Sequence, residues 1–405
     1  MTEANIGERG PRVRPPTLRT GEDATASRLE LFFDLAYVLV VLELANAFYK
    51  DLSWRGFLVF VALYVAMWFS WVGFTLYANR FDTDDVVYRV AKLAATASIA
   101  GCAASASGAT GEFSTAFALS FLAGRVILLL LQLRAWRHVP EARPTIAVYL
   151  GFTAASTVLW AVSPAFDGWV RWGIWAAAVA MDALGPVMAT RREDRAPLHM
   201  EHLPERFGLF IILVLGEAVG GAATGVHDAK WAGPAVAVGL AGFVVAASMW
   251  WNYFDVTAGH SEEKLHESDE DDGTEGAVAD DRHDLFVYGH LPLSAGIVMV
   301  GVGIEDLVAH PFDAVPSDGG WTVAVGLALY LLGTALILGG THRTWRGVWP
   351  WPTAAIPVVL AAAVVPHRSA LLLVGGLAVL TVALTVYGVL RGDPEQDPAA
   401  RAGGR

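Results

Sequence analysis

Long, continuously apolar runs separated by short polar turns set the pattern of this chain. A helix that crosses a hydrocarbon core of about 30 Å needs about 20 residues. Runs of that order lie at 30–49, 54–78, 87–108, 113–135, 145–164, 168–189, 205–225, 231–254, 288–309, 321–341, 351–366 and 370–390. The eleventh is the weakest, because Pro350, Pro352 and Pro366 bracket a short apolar stretch. The runs are apolar throughout rather than alternating, which argues against a membrane β-barrel. The pattern predicts an all-α fold, a polytopic transmembrane helical bundle of about 12 spanning helices over 29–390. Residues 1–28 read as an Arg-rich, disordered cytoplasmic tail and 391–405 as a second cytoplasmic tail. The one long connection, 256–285, carries eleven Asp and Glu against Lys264 and Arg282 and reads as a disordered cytoplasmic loop.

Lys and Arg in short loops set orientation. With the N-terminus inside, the inside segments hold 22 of the 28 Lys and Arg, Arg80, Arg89, Lys92, Arg134 and Arg206 among them. The outside segments hold five, Lys50, Arg55, Arg171, Lys230 and Arg368, and Arg125 is left within the fourth run. The bias persists to the C-terminus, which predicts twelve crossings with both termini cytoplasmic.

Composition agrees: 55% of residues are hydrophobic and 17% charged, where a soluble chain this long carries roughly 25% charged. Cys102 is the single cysteine and lies in an apolar run, so neither a disulfide framework nor a thiolate metal site is expected. Residues 1–28 have no apolar stretch of the kind a cleaved signal peptide needs, and none is expected. The net charge of −12 is concentrated in the acidic connection and gives no reason to expect nucleic acid as a partner. The expected partners are the lipid bilayer, to whose anionic headgroups the Arg-rich tail is attracted, and an unknown small solute or proton. No cofactor is expected.

The informative residues are those a membrane should reject. An ionisable group at bilayer depth costs about 2.5–3.5 kcal/mol on insertion scales and usually faces a partner or a water-filled cavity. The first run carries Glu30, Asp34 and Glu43, the fourth Arg125, the sixth Asp182, the seventh Glu217 and the ninth Glu305. Glu30 and Asp34, spaced i, i+4, share one helix face.

Two of these sites share a frame. His202-Leu203-Pro204 precedes Glu217, and His290-Leu291-Pro292 precedes Glu305, each His fifteen residues before its Glu. Both prolines suit the first turn of a helix, where a missing N–H costs nothing. The frame is compatible with an internal repeat of the kind transporters often contain.

These blocks also carry a resemblance. Arg28-Leu29-Glu30-Leu31-Phe32-Phe33-Asp34-Leu35, the run from His202 through Glu205-Arg206-Phe207-Gly208 to Leu215-Gly216-Glu217, Trp250-Trp251-x-Tyr253-Phe254-Asp255, and Tyr288-x-His290-Leu291-Pro292 running to Glu305 resemble the bacterial low temperature requirement A family over roughly 27–390. The resemblance implies a multi-spanning protein of the bacterial plasma membrane. It supplies no catalytic residues, because the family has no settled biochemical activity. Glu43, Arg125 and Asp182 lie outside its motifs.

Each group also has a structural reading. Glu30, Glu205, Arg206 and Asp255 lie near the cytoplasmic interface, where charges snorkel or cap helices. His202 and His290 at helix starts would bond to caps or headgroups. The Trp250-Trp251 cluster fits an interfacial aromatic belt. His260, His266 and His283 in the acidic loop suit a divalent cation less well than they suit a solvated disordered segment, and no metal site is expected. The sequence has no Walker loop, nucleophile elbow or H-E-x-x-H pair.

Two classes of function remain. The first is a secondary transporter, with the proton as candidate coupling ion and Asp34, Glu43, Arg125, Asp182, Glu217 and Glu305 along the path. The second, less favoured, is an intramembrane enzyme or lipid-handling protein using a cytoplasmic-face cluster of Glu30, His202, Glu205, Arg206, Asp255, Tyr288 and His290.

Overall fold

A computed structural model describes residues 13–19, 27–190, 203–258, 276–312, 317–341, 352–366 and 369–390. They form twelve helices: α1 (Arg28–Tyr49), α2 (Trp54–Arg80), α3 (Val86–Ser105), α4 (Ser114–His138), α5 (Arg143–Val162), α6 (Gly168–Thr190), α7 (Leu203–Asp228), α8 (Gly233–Trp251), α9 (Gly276–Ala309), α10 (Asp318–Thr341), α11 (Ala355–Val364) and α12 (Ala370–Leu390). Apolar runs become helices because a backbone in hydrocarbon must satisfy its own N–H and C=O groups. Among the described residues, eleven helices are long and apolar enough to cross a membrane. The chain is a multi-span membrane protein.

The structure departs from the sequence pattern in three places. The weak eleventh run forms only the ten residues of α11, about 15 Å of helix and half a hydrocarbon core. It stops at Val364 because Val365, which precedes Pro366, is extended, as a residue before proline prefers. Second, α9 begins at Gly276 rather than near 288, so the last part of the acidic connection is helical. Pro292 therefore sits inside a helix and not in its first turn, whereas Pro204 does occupy the first turn of α7. Third, part of the N-terminal tail is ordered. Thr17 and Leu18 (β1) pair antiparallel with Asp82 and Phe81 (β2), and the Arg19 N–H donates to the Arg80 carbonyl at 3.0 Å.

The chain divides into two compact units. The first comprises 1–36, 69–105 and 114–199, and so holds the start of α1, the end of α2 and α3 to α6. Aromatic rings fill part of its interior: Phe121 and Trp160 lie 4.1 Å apart between centroids and Trp160 and Trp175 5.0 Å. The Trp175 indole N–H donates to Ser163 at 3.0 Å, so the buried ring keeps its polar atom satisfied.

The second unit comprises 37–68, 106–113 and 200–405. Its α9 and α10 pack antiparallel along glycines spaced seven apart, a spacing that returns to the same helix face. Gly289, Gly296 and Gly303 of α9 oppose Gly333, Gly326 and Gly319 of α10. A methyl added at Gly296 would stand 2.4 Å from the Gly326 carbonyl oxygen, and one at Gly333 2.5 Å from that of Gly289. On α7, Gly221 approaches the Gly301 carbonyl of α9 equally closely, at 2.6 Å from an added methyl. Small residues permit such approach between membrane helices, where dispersion rather than water exclusion drives association.

Candidate functional site

The buried stripe of α4 contains Phe117, Phe121, Gly124, Arg125, Leu128, Leu131, Gln132 and Ala135. Arg125 and Gln132, seven residues apart, thus share one face two turns from each other. On α5, Tyr149, Thr153 and Ser156 repeat at i, i+4 and i+7 and share a face as well. Asp182 lies in α6, four residues before Pro186.

Within the first unit these three helices assemble a charged centre. Arg125 Nη2 donates to Asp182 Oδ1, and both side chains are almost completely buried, at 3% and 2% exposure. Ser156 donates to the other carboxylate oxygen at 2.9 Å. Pro186 lies inside α6 and has no N–H to return to the Asp182 main-chain carbonyl. Arg125 is not consumed by this pair. Among the described residues its Nε and Nη1, which carry three N–H groups, have no hydrogen-bond partner, and neither does Gln132 Oε1. Gly73 of α2 faces this stripe of α4: a methyl there would meet Leu128 Cδ2 at 2.9 Å and stand in ordinary contact, at 3.7 Å, with Arg125 Nη1.

A small cavity of about 20 Å³ opens beside the pair, bounded by Gly73, Arg125, Gln132, Tyr149, Thr153 and Asp182 among others. A second of the same size shares Gly73, Gln132 and Tyr149 with it and reaches Arg80, Phe81 and Thr145. Arg80 is buried and donates to the Tyr149 hydroxyl at 2.9 Å.

Asp34, in the same unit, is fully buried and accepts the indole N–H of Trp71 at 2.9 Å. Lys92 is equally buried, its ammonium 3.5 Å from the centroid of the Phe33 ring. It belongs to a helix interior rather than to the loop charges that the orientation count assumes. Glu30 forms a capping box at the start of α1: the Ser27 N–H donates to Glu30 Oε2 at 2.9 Å and the Glu30 N–H to Ser27 Oγ at 3.2 Å.

In the second unit Glu217 and Glu305 flank the tight crossing of α7 and α9. A methyl at Gly301 would meet the Glu217 carbonyl at 3.0 Å, and one at Gly225 the Glu305 carbonyl at 2.8 Å. Glu305 is buried and lies one turn from the end of α9, while Glu217 is half-buried in the middle of α7. The shared His–Glu frame therefore places its two carboxylates at different depths in their helices. Glu43 is half-buried on α1.

The residues of the expected cytoplasmic-face cluster differ in burial. His202 lies outside the described residues. Glu205 and Asp255 are exposed, Arg206 is buried and Tyr288 is half-buried, 6.4 Å from the Trp68 ring. His290 is 1% exposed. Its Nδ1 lies 2.6 Å from the Phe286 carbonyl, a geometry that requires an N–H there, so Nε2 accepts from Tyr253 Oη at 2.9 Å. Both ring nitrogens are thus engaged, inside a box of Phe207, Tyr253 and Phe286 rings. Among the described residues no group of three or more His, Cys, Asp or Glu is placed to hold a metal ion. His260 and His266 lie outside them.

The comparison with known proteins decides the family. The sequence profile described as bacterial low temperature requirement A protein (LtrA) matches residues 25–389. The chain belongs to the LtrA family. A relative in that comparison, an uncharacterized protein of Rhizobium meliloti (strain 1021), is 26% identical over 333 residues, 77% of each chain. No solved structure matches. Of the LtrA motif residues, Asp34 and His290 are engaged in hydrogen bonds with Trp71 and Tyr253. The Arg125–Asp182 pair lies outside the motif blocks, and sequence reasoning missed its neighbours Gln132 and Tyr149. Their spacing from Arg125 and Ser156 along the helix faces was the available signal.

Proposed function

We propose that this LtrA protein is a secondary transporter of the bacterial plasma membrane, oriented with its N-terminus in the cytoplasm, and that the Arg125–Asp182 pair is its charged centre. The observation that carries this reading is an ion pair buried within spanning helices whose arginine retains three N–H groups without a partner among the described residues. A pair kept only for packing gains by saturating its donors, because each buried unsatisfied group costs about 1–3 kcal/mol. Donors held open beside a cavity suit a group that exchanges partners during a cycle. Glu217, Glu305, Asp34 and Glu43 are the further carboxylates of the proposed path.

The test is proton and solute-driven flux in proteoliposomes. Wild-type protein should carry flux that falls to the protein-free background in Asp182→Asn, and should be reduced in Glu217→Gln and Glu305→Gln, with all variants monodisperse in detergent. Wild-type protein without flux under any applied gradient, or full flux in Asp182→Asn, would overturn the reading.

A further inference from the structure

We infer that the first unit contains a hydrated passage that gives protons access to Asp182 from the end of the unit marked by Arg80. Its importance for transport rests on the proposed function, but its existence does not.

Size agrees with water in both cavities, and polarity with water in the inner one, whereas the outer cavity is lined mostly by apolar surface. Each cavity measures about 20 Å³, and about 10–15 Å³ on this scale holds one water molecule. Water also needs two to four polar partners to occupy an interior site. The inner cavity is bounded by Arg125 and Gln132, whose Nε and Nη1 donors and Oε1 acceptor have no partner among the described residues. The outer cavity is bounded by the Tyr149 side chain, which takes the Arg80 bond, and by Thr145. Gly73, Gln132 and Tyr149 line both cavities, so one side-chain boundary separates their waters. A solute larger than a few atoms does not fit; a chain of waters does.

The direction of the passage follows from helix geometry. Gln132 lies seven residues beyond Arg125 towards the C-terminal end of α4, about 10 Å along the axis. Arg80 ends α2 and Thr145 lies in the first turn of α5. The passage therefore runs from that end of the first unit to mid-helix, where Asp182 is the terminal acceptor. A proton arriving from a water binds one carboxylate oxygen, and the water reverts to its neutral form. The negative charge that held Arg125 Nη2 is removed, and the guanidinium is released to other partners. The only charged side chain bonded to Asp182 among the described residues is Arg125.

Two measurements on the full chain in lipid nanodiscs or liposomes test this. X-ray hydroxyl-radical footprinting oxidises side chains next to ordered water. Met181, which borders the inner cavity, and Tyr149 should be labelled more strongly than Met249, which is buried. The labelling should drop in Gln132→Leu, which fills the boundary with an apolar side chain of similar length. In the flux assay Gln132→Leu and Tyr149→Phe should lose proton flux, while Thr157→Val, a buried change on the same helix, keeps it. Unlabelled Met181 and Tyr149 in the wild type, or labelling and flux both unchanged in Gln132→Leu, would overturn the passage. Wild-type protein that is labelled in this pattern but carries no flux would overturn the transporter reading and leave the passage standing.

Discussion

Arg125 and Asp182, 57 residues apart in the chain, meet through a hydrogen-bonded ion pair that is closed on its far side by Ser156. Each charge would be costly alone, and each makes the other tolerable. Removing one partner of a buried pair typically costs about 3–5 kcal/mol, because the survivor stays desolvated, whereas replacing both with apolar residues of similar volume is often neutral. Arg125→Met and Asp182→Leu alone should each lower thermal stability strongly, and the double variant should recover most of the loss. Flux should remain absent in all three. A double variant that regains both stability and flux would make the pair a packing device, and one that stays as unstable as the singles would refute the pairing energetics.

The glycine register between α9 and α10 yields a second expectation. Gly296→Val should abolish accumulation of folded protein, since even the first added carbon meets the Gly326 carbonyl at 2.4 Å and the Tyr330 backbone nitrogen at 2.5 Å. Gly216→Ala provides the contrast. It lies in the Leu215-Gly216-Glu217 block, yet an added methyl meets nothing within 4 Å, and alanine favours helix over glycine by about 1 kcal/mol. Its melting temperature should hold or rise. Thermal unfolding of the two variants in the same detergent decides; equal tolerance of both would contradict the close packing.

Much of this was legible in the sequence. The helices, the costly charges at 34, 125, 182, 217 and 305, and the family could be read because hydrophobicity and motif spacing are local properties. Partnership could not, because it depends on which faces of distant helices meet. Arg125 was visible as an anomaly but not its bond to Asp182. His290 was visible as a polar residue in an apolar run but not its bond to Tyr253, 37 residues away. Lys92 counted as a loop charge because nothing nearby in sequence reveals the Phe33 ring above it. The glycines at 289, 296 and 303 and at 319, 326 and 333 are different: their sevenfold spacing is plain in the chain, and the apolar runs around them drew the attention instead.

The ordered part of the N-terminal tail depends on one carboxylate outside the spanning helices. Asp85, in the connection between α2 and α3, accepts from Arg134 at 2.8 and 3.0 Å, from the Tyr88 N–H at 3.0 Å and from the Arg14 N–H at 3.2 Å. Arg134 also donates to the Arg14 carbonyl, so the ion pair ties the tail beside β1 to the membrane unit. Burial alone would push the Asp85 carboxyl up, but the Arg134 bonds and the two backbone N–H groups outweigh it and hold it below the ordinary aspartate value. A carboxyl depressed in the folded state stabilises that state fully above its unfolded value, about pH 3.9, and the contribution is lost as pH falls through the lower folded value. Docking should therefore be flat from neutral pH down to the ordinary aspartate range and weaken only below it. Hydrogen exchange of the amides of Arg14, Thr17, Leu18 and Arg19, corrected for the intrinsic rate at each pH, reads this directly. In Asp85→Asn the same amides should exchange fast at every pH, since the charge that holds Arg134 is gone. Protection that fades already between pH 7 and 5 would mean that a group with a higher pKa than Asp85 holds the tail.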